Sequence, residues 1–110
     1  MTKKQQLRNR ADRLWFLKYL QERCEVCGET ATQVHHFFPK GLYPSVRYSE
    51  LNAISLCKRC HFFHHQRGDP TIHKTIIEKR GQKWYNQLKE ESSKKITQTI
   101  SYYEDIIAGL

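Results

Sequence analysis

CEVC at residues 24–27 and CKRCHFFHH at residues 57–65 enclose VHHF at residues 34–37, so almost every metal-binding side chain lies in one block. This block holds all four cysteines and five of the six histidines. Four thiolates complete one tetrahedral zinc, as in structural sites. The spacing therefore predicts a structural Zn²⁺ bound by Cys24, Cys27, Cys57 and Cys60, and it leaves the histidines for a second, open metal site.

Two disulfides are the alternative use of four cysteines. The chain starts with the polar segment MTKKQQ, which is not a signal peptide. Paired Cys-x-x-Cys spacing is typical of zinc sites, and disulfides are rare inside cells. No apolar run approaches the ~20 residues that span a bilayer. We therefore expect zinc, a cytoplasmic protein and no membrane partner.

Length and charge indicate the kind of partner. The 110 residues correspond to one compact domain, and their net charge is +8 with a pI near 9.5. Residues 1–23 carry seven Lys or Arg against two acids, residues 24–69 five against four, and residues 70–110 seven against five. A basic surface neutralises phosphates and releases counterions. The N-terminal segment is therefore the expected footprint for nucleic acid, although ordinary proteins also carry such charge.

Periodicity predicts helices on both sides of a small β element, an α+β protein. Apolar residues recur at helical spacing between Leu7 and Leu20, which predicts a basic amphipathic helix over residues 4–22. Residues 33–38 and 52–56 are the expected strands of a hairpin with a long loop. The run 58–66 has no helix breaker, and His61 and His65, four apart, would share one helix face.

The C-terminal part is predicted to be helical. Gly68-Asp69-Pro70 closes one helix and opens another over residues 70–80, with Asp69 as the N-cap and Pro70 at the first helical position. A weaker stripe over residues 82–107 predicts a further helix, interrupted near Ser92-Ser93. The expected organisation is a basic helix at 1–23, a metal-stapled core at 24–68 and a helical extension at 69–110.

Residues 24–65, about two fifths of the chain, resemble the HNH (ββα-metal) endonucleases in the variant with a four-cysteine zinc. The matching positions are C24-x-x-C27-G28, V34-H35-H36-F37 and N52-x-x-x-L56-C57-x-x-C60-H61-x-x-x-H65. The resemblance implies a small ββα-metal core, flanked here by the N-terminal basic helix and the C-terminal helices. It also implies an endonuclease that hydrolyses DNA phosphodiester bonds and leaves 5′-phosphate and 3′-hydroxyl ends.

The same resemblance implies a role for each matched residue. His36 corresponds to the general base, since a neutral imidazole can take a proton from water near pH 7. Asn52 corresponds to the residue whose amide holds the loop of that base. His35, His61 and His65 correspond to the ligands of one catalytic divalent metal, which could be Mg²⁺, Mn²⁺, Ni²⁺ or Zn²⁺.

The flanking residues are similar to those of phage recombination endonucleases of the NinG/Rap type. The similarity includes residues 37–41, Val46-Arg47-Tyr48 and Gly68-Asp69-Pro70. It implies a phage or bacterial setting and activity on branched DNA. The chain departs from that pattern at His35-His36 and at His61, which places it nearer to the general HNH plan.

Several expectations concern residues around the site. Lys40, Arg47 and Arg59 could contact phosphates. His64 and His73 are expected to be surface histidines, with a substitute metal ligand beside His65 as the alternative for His64. A double-strand cut by one active site would favour a homodimer or two sequential nicks. The alternative to a nuclease is a non-catalytic zinc-ribbon module that binds nucleic acid. A binding module has no need for a His-His pair, an Asn and a His-x-x-x-His pair in addition to a complete four-cysteine site, and this argues against that alternative.

Overall fold

The computed structural model describes residues 1–110 and contains five α-helices, two 3₁₀ helices and one two-stranded antiparallel sheet, which confirms the α+β class. The predicted hairpin is present, and the predicted break at Ser92-Ser93 falls at the end of α4. In chain order the elements are α1 (Lys3–Tyr19), β1 (Gln33–His36), 3₁₀ helices at Pro44–Val46 and Glu50–Asn52, β2 (Ala53–Leu56), α2 (Lys58–Arg67), α3 (Thr71–Arg80), α4 (Gln82–Ser92) and α5 (Ile100–Gly109).

Helix α1 is shorter at its C-terminal end than the sequence predicted. It starts with a capping box in which Thr2 and Gln5 exchange side-chain and backbone hydrogen bonds. It ends at Tyr19 because the next residues are drawn to the sheet: the Gln21 amide donates to Ser55 Oγ at 2.9 Å. A tertiary contact therefore determines where α1 ends, and the periodicity of apolar residues in the sequence cannot predict such a contact.

The start of α3 differs from the prediction by one residue. The helix begins at Thr71, and Pro70 takes the N-cap position without a side-chain cap. Asp69 still caps locally, because its Oδ1 accepts from the Thr71 amide at 2.9 Å and from the Thr71 hydroxyl at 2.7 Å. The turn before it uses Gly68, whose φ of +60° lies in the left-handed region.

The hairpin places the two adjacent histidines on opposite faces. In the antiparallel register His35 pairs with Ile54, and His36 pairs with Ala53. Successive side chains of a strand point to opposite sides. His35 is consequently buried against α2 and α3, whereas His36 faces α1. Strand β2 leads through Cys57 directly into α2, so the sheet and that helix are rigidly joined.

Two apolar clusters hold the helices on the hairpin. The larger one joins the hairpin and three of the cysteines to α3 and α4 through residues such as Ile54, Leu56 and Ile76. The smaller one packs Ala11 and Trp15 of α1 with Tyr103 of α5. Helices outside the hairpin thus contribute to both cores. No helix combines the length and the apolar character needed to cross a membrane.

One arginine ties distant parts of the larger core together. Arg80, at the end of α3, donates to both carboxylate oxygens of Glu25 at 2.7 and 2.6 Å and to the Ala53 carbonyl at 2.8 Å. Glu25 in turn accepts from the Ser55 amide at 3.1 Å. A bidentate Arg–carboxylate pair fixes geometry as well as charge. It holds the Cys24–Cys27 turn against β2 and α3.

Candidate metal centres and the cavity beside them

The four cysteines form a candidate zinc site. Their Sγ atoms all lie within 4.8 Å of one another, and those of Cys27 and Cys57 are 3.5 Å apart. Zn–S bonds of ~2.3 Å in a tetrahedron separate sulfur atoms by about 3.8 Å. All four cysteines are free, so the disulfide alternative is not realised. The donor set and its spacing therefore fit a structural Zn²⁺.

Local backbone geometry prepares this set for a cation. The Val26 amide donates to Cys24 Sγ, and the Cys60 amide donates to Cys57 Sγ, both at 3.4 Å. Burial opposes ionisation of Cys24, but backbone N–H groups outweigh it and lower the pKa of this thiol to about 7. Burial and the neighbouring thiols raise the pKa of Cys60. A coordinated divalent cation would ionise all four thiols.

The histidines predicted to bind a second metal also come together. The ring nitrogens of His35 on β1 and of His61 and His65 on α2 lie within 4.8 Å of one another. The one-turn spacing on α2 brings His61 and His65 to a ring separation of 4.4 Å. His35 is buried, His61 is half-buried and His65 is exposed. Three imidazoles that open toward solvent leave room for another ligand.

The expectation that His64 and His73 are surface histidines is wrong. His73 lies between the rings of Phe37 and His64, at centroid separations of 4.1 and 4.3 Å. Burial lowers the pKa of His73 to about 4. Its Nε2 is 2.9 Å from Nε2 of His35. His64 belongs to α2, and the turn at Gly68–Pro70 folds α3 back toward α2 and β1, which brings His73 against His64 and His35.

His36 is held by α1 and by the hairpin loop. Its ring stacks on the indole of Trp15 with centroids 4.0 Å apart and an interplanar angle of 11°. Its Nε2 lies 3.0 Å from the carbonyl oxygen of Arg47. A carbonyl can only accept, so Nε2 carries the proton and Nδ1 of the neutral ring keeps its lone pair. Burial lowers the pKa of His36 to about 4, which keeps the ring neutral near pH 7.

Asn52 connects β2 to the segment that follows His36. Its Oδ1 accepts from the Phe38 amide at 2.7 Å, and its Nδ2 donates to the Phe38 carbonyl at 3.0 Å. The Asn52 carbonyl also accepts from the Phe37 amide at 3.0 Å. The side chain is fully buried. These three bonds fix the backbone immediately after His36, where the hairpin leaves its ladder.

A cavity of about 630 Å³ opens beside these residues. It is bounded by α1, β1, α2 and the start of the hairpin loop. Both His36 and the predicted ligands His35, His61 and His65 line it, as do Trp15 and Lys40. His36 and the candidate metal ligands His35, His61 and His65 therefore line the same cavity.

The three basic residues expected near the site have different surroundings. Lys40 is exposed at the cavity. The Arg47 guanidinium instead forms a bidentate pair with Asp12 of α1 at 2.9 and 2.7 Å, and its side chain is 13% exposed. Arg59 is exposed beside Cys27, whose thiol raises the pKa of the guanidinium. Of the three, Lys40 is the one placed where a substrate in the cavity would pass.

Sequence reasoning missed the contributions of α1 and α3 to this region. The contact of Trp15 with His36 has no local signature in the sequence. The entry of His73 into the cluster could have been suspected from the turn signal at Gly68-Asp69-Pro70, which returns the chain toward α2.

Comparison of the chain with protein-family models, curated proteins and solved structures finds no match.

Proposed function

We propose that the protein is a metal-dependent endonuclease of the HNH type that hydrolyses DNA phosphodiester bonds with water activated by His36. The observation that supports this most is the position of His36 in the same cavity as three metal-binding histidines. A structural zinc at the four cysteines alone would not require such a cavity. The phage NinG/Rap likeness adds recombination or branched DNA as the substrate context to test.

His36 has the properties of a general base. Its Nε2–H is committed to the Arg47 carbonyl, so the free lone pair is on Nδ1. The stacked Trp15 ring restricts rotation of the imidazole. Asn52 fixes the following backbone at Phe38, which limits movement of the strand end that carries His36. A base held in one orientation is effective because proton transfer depends on sub-ångström geometry.

His35, His61 and His65 are the residues that would hold the catalytic cation. A divalent ion bound there would supply Lewis-acid stabilisation of the charge that develops on phosphate oxygens during hydrolysis. His35 is positioned by the β1–β2 register and His61 and His65 by one turn of α2, so all three come from regular elements. Sites on helices and strands are held more rigidly than sites on loops.

DNA as the partner is supported by the charge of the exposed surface. The cavity has Lys40 at its side, and a neighbouring groove is lined by the exposed Lys4 and Lys40. Helix α1, which forms one wall of the cavity, also exposes Arg10 and Arg13. Such groups contact phosphates irrespective of base sequence. We propose that α1 guides the DNA backbone toward His36, as a monomer or as a homodimer.

The second candidate is a zinc module that binds nucleic acid without cleaving it. The compact cysteine cluster and the net charge of +8 favour it, because neither depends on the histidines. This candidate predicts salt-sensitive binding that survives loss of His36. It also predicts no metal-dependent hydrolysis.

The test compares the wild type with His36→Ala on supercoiled plasmid and on a synthetic four-way junction, with EDTA, Mg²⁺ or Mn²⁺. Gln33→Ala is the matched control, since Gln33 lies on the same strand and lines the same cavity without a titratable group. We expect wild type and Gln33→Ala to cleave with added metal. We expect His36→Ala to lose about 10²–10⁴-fold in rate, the usual contribution of a general base.

Outcomes of this assay separate the candidates. Binding of DNA without cleavage by the wild type under every metal condition would refute the endonuclease and favour the zinc module. Cleavage by His36→Ala at the wild-type rate would remove His36 from the mechanism. A preference for the junction over plasmid would define the substrate as branched DNA.

A further inference from the structure

The histidine cluster contains a second set of three imidazoles that fits a metal ion. His35, His64 and His73 have ring nitrogens within 4.8 Å of one another, as do His35, His61 and His65. The two sets share His35 on β1. The additional ligands are His64 of α2 and His73 of α3, and His73 lies outside the segment that resembles an HNH core.

The distance between His35 and His73 is compatible with two ligands of one ion. Their Nε2 atoms are 2.9 Å apart. Two imidazole nitrogens at ~2.05 Å from a common metal are about 3.3 Å apart at the tetrahedral angle and about 2.9 Å apart at a right angle, so the observed distance lies at the short end of this range. Without a metal the same distance is one N–H···N hydrogen bond. The pair can therefore exchange a proton for a cation with little movement of either ring.

His64 provides an independent observation. Its Nδ1 is buried and has no hydrogen-bond partner, one of only two such side-chain atoms in the protein. Buried polar atoms are normally satisfied, so an unsatisfied one requires an explanation such as a bound ion. The ring stacks on His73 with centroids 4.3 Å apart, and rotation about its χ2, a soft torsion, would bring a nitrogen toward a shared ion.

We propose that His35, His64 and His73 form a second metal position, selective for cations that favour imidazole, such as Zn²⁺, Co²⁺ or Ni²⁺, over Mg²⁺. His35 and His64 line the cavity but His73 does not, whereas His35, His61 and His65 all line it. The second position therefore has one ligand, His73, that lies outside the cavity wall. The proposal concerns metal binding by the cluster and does not depend on nuclease activity.

The test is Co²⁺ binding, measured by calorimetry and by visible absorption, to protein whose cysteines are loaded with zinc. His65→Ala removes an exposed ligand of the position that faces the cavity. In this background we expect Co²⁺ binding to persist through His35, His64 and His73. Adding His73→Ala should then weaken it by more than the ~10–100-fold loss expected for a residue that only supports a ligand.

A matched control is Thr75→Ala in the same His65→Ala background. Thr75 is also half-buried on α3 but carries no metal-binding atom, so it reports any general loosening of that helix. Equal Co²⁺ affinity of His65→Ala and of His65→Ala combined with His73→Ala would refute the proposal that His73 belongs to a second metal position. Loss of all binding on His65→Ala alone, in protein whose zinc content and circular dichroism match the wild type, would overturn it as well.

Discussion

The cysteine cluster and the histidine cluster are neighbours built on different principles. The cysteines come in two local pairs, Cys24/Cys27 and Cys57/Cys60, each shaped by one turn of backbone. The histidines are contributed by a strand and two helices, and they include members that no local spacing connects. A structural site can therefore be recognised from short motifs. An open site depends on how separate elements pack.

The most severe test of this comparison is removal of one cysteine. Cys57 caps α2 through its Sγ and is buried where β2 meets that helix. We expect Cys57→Ser to lose zinc and most of the folded state together, because zinc supplies on the order of 10 kcal/mol in such sites. Elemental zinc analysis and thermal unfolding by circular dichroism measure both. An unchanged zinc stoichiometry would contradict the four-cysteine site.

Removal of the exposed His65 should leave the fold intact and reduce only the stabilisation that added metal gives to the folded protein. Added Co²⁺ or Ni²⁺ should stabilise the wild type by about 2.7 kcal/mol at one hundred times its dissociation constant. His65→Ala should unfold like the wild type without such metal and gain less with it, because His65 is exposed and belongs to neither apolar cluster. Equal metal-induced stabilisation of both proteins would exclude His65 as a ligand.

Asn52 joins β2 to the segment after His36 and so tests the part of the open site that is held by buried backbone contacts. Asn52→Ala removes two buried hydrogen bonds and leaves the Phe38 amide and carbonyl unsatisfied. We expect a loss of about 1–3 kcal/mol with zinc content unchanged. Urea unfolding gives the value. Gln82→Ala, which removes a single surface bond to Asn86, serves as the control and should be nearly neutral. A neutral Asn52→Ala would contradict the positioning role.

The most gradual expected effect is the pH dependence contributed by His36. Burial lowers its pKa from 6.5 to about 4 in the folded chain, so between these values the unfolded chain binds the proton. The stability that His36 contributes is therefore complete above pH 6.5 and is lost as the pH falls toward about 4.

The comparison for this effect is His36→Gln, measured by urea unfolding at several pH values. Relative to the wild type, the variant should lose stability less steeply on acidification. The difference in slope cannot exceed about 1.4 kcal/mol per pH unit, the limit for one proton. Zinc release by acid acts on both proteins and cancels in the difference. Parallel curves would mean that His36 titrates normally.

The sequence alone was sufficient for much of this architecture. The two Cys-x-x-Cys pairs, the hairpin and the helix carrying His61 and His65 follow from spacing and periodicity, which are local properties. The end of α1 at Tyr19, the Asp12–Arg47 pair and the entry of His73 into the cluster do not. Each depends on a contact between residues more than thirty positions apart or on the orientation of a helix after a turn.

The bidentate pair of Arg80 with Glu25 has a consequence for the order in which the chain folds. Its partner Glu25 is 55 residues away in sequence, so their pairing closes a long loop and must overcome the corresponding chain entropy. Each Cys-x-x-Cys turn, in contrast, closes within four residues and can capture zinc early. We expect His73 to join the histidine cluster only once α3 has docked. Zinc then meets each cysteine turn before the histidine set that contains His73 exists.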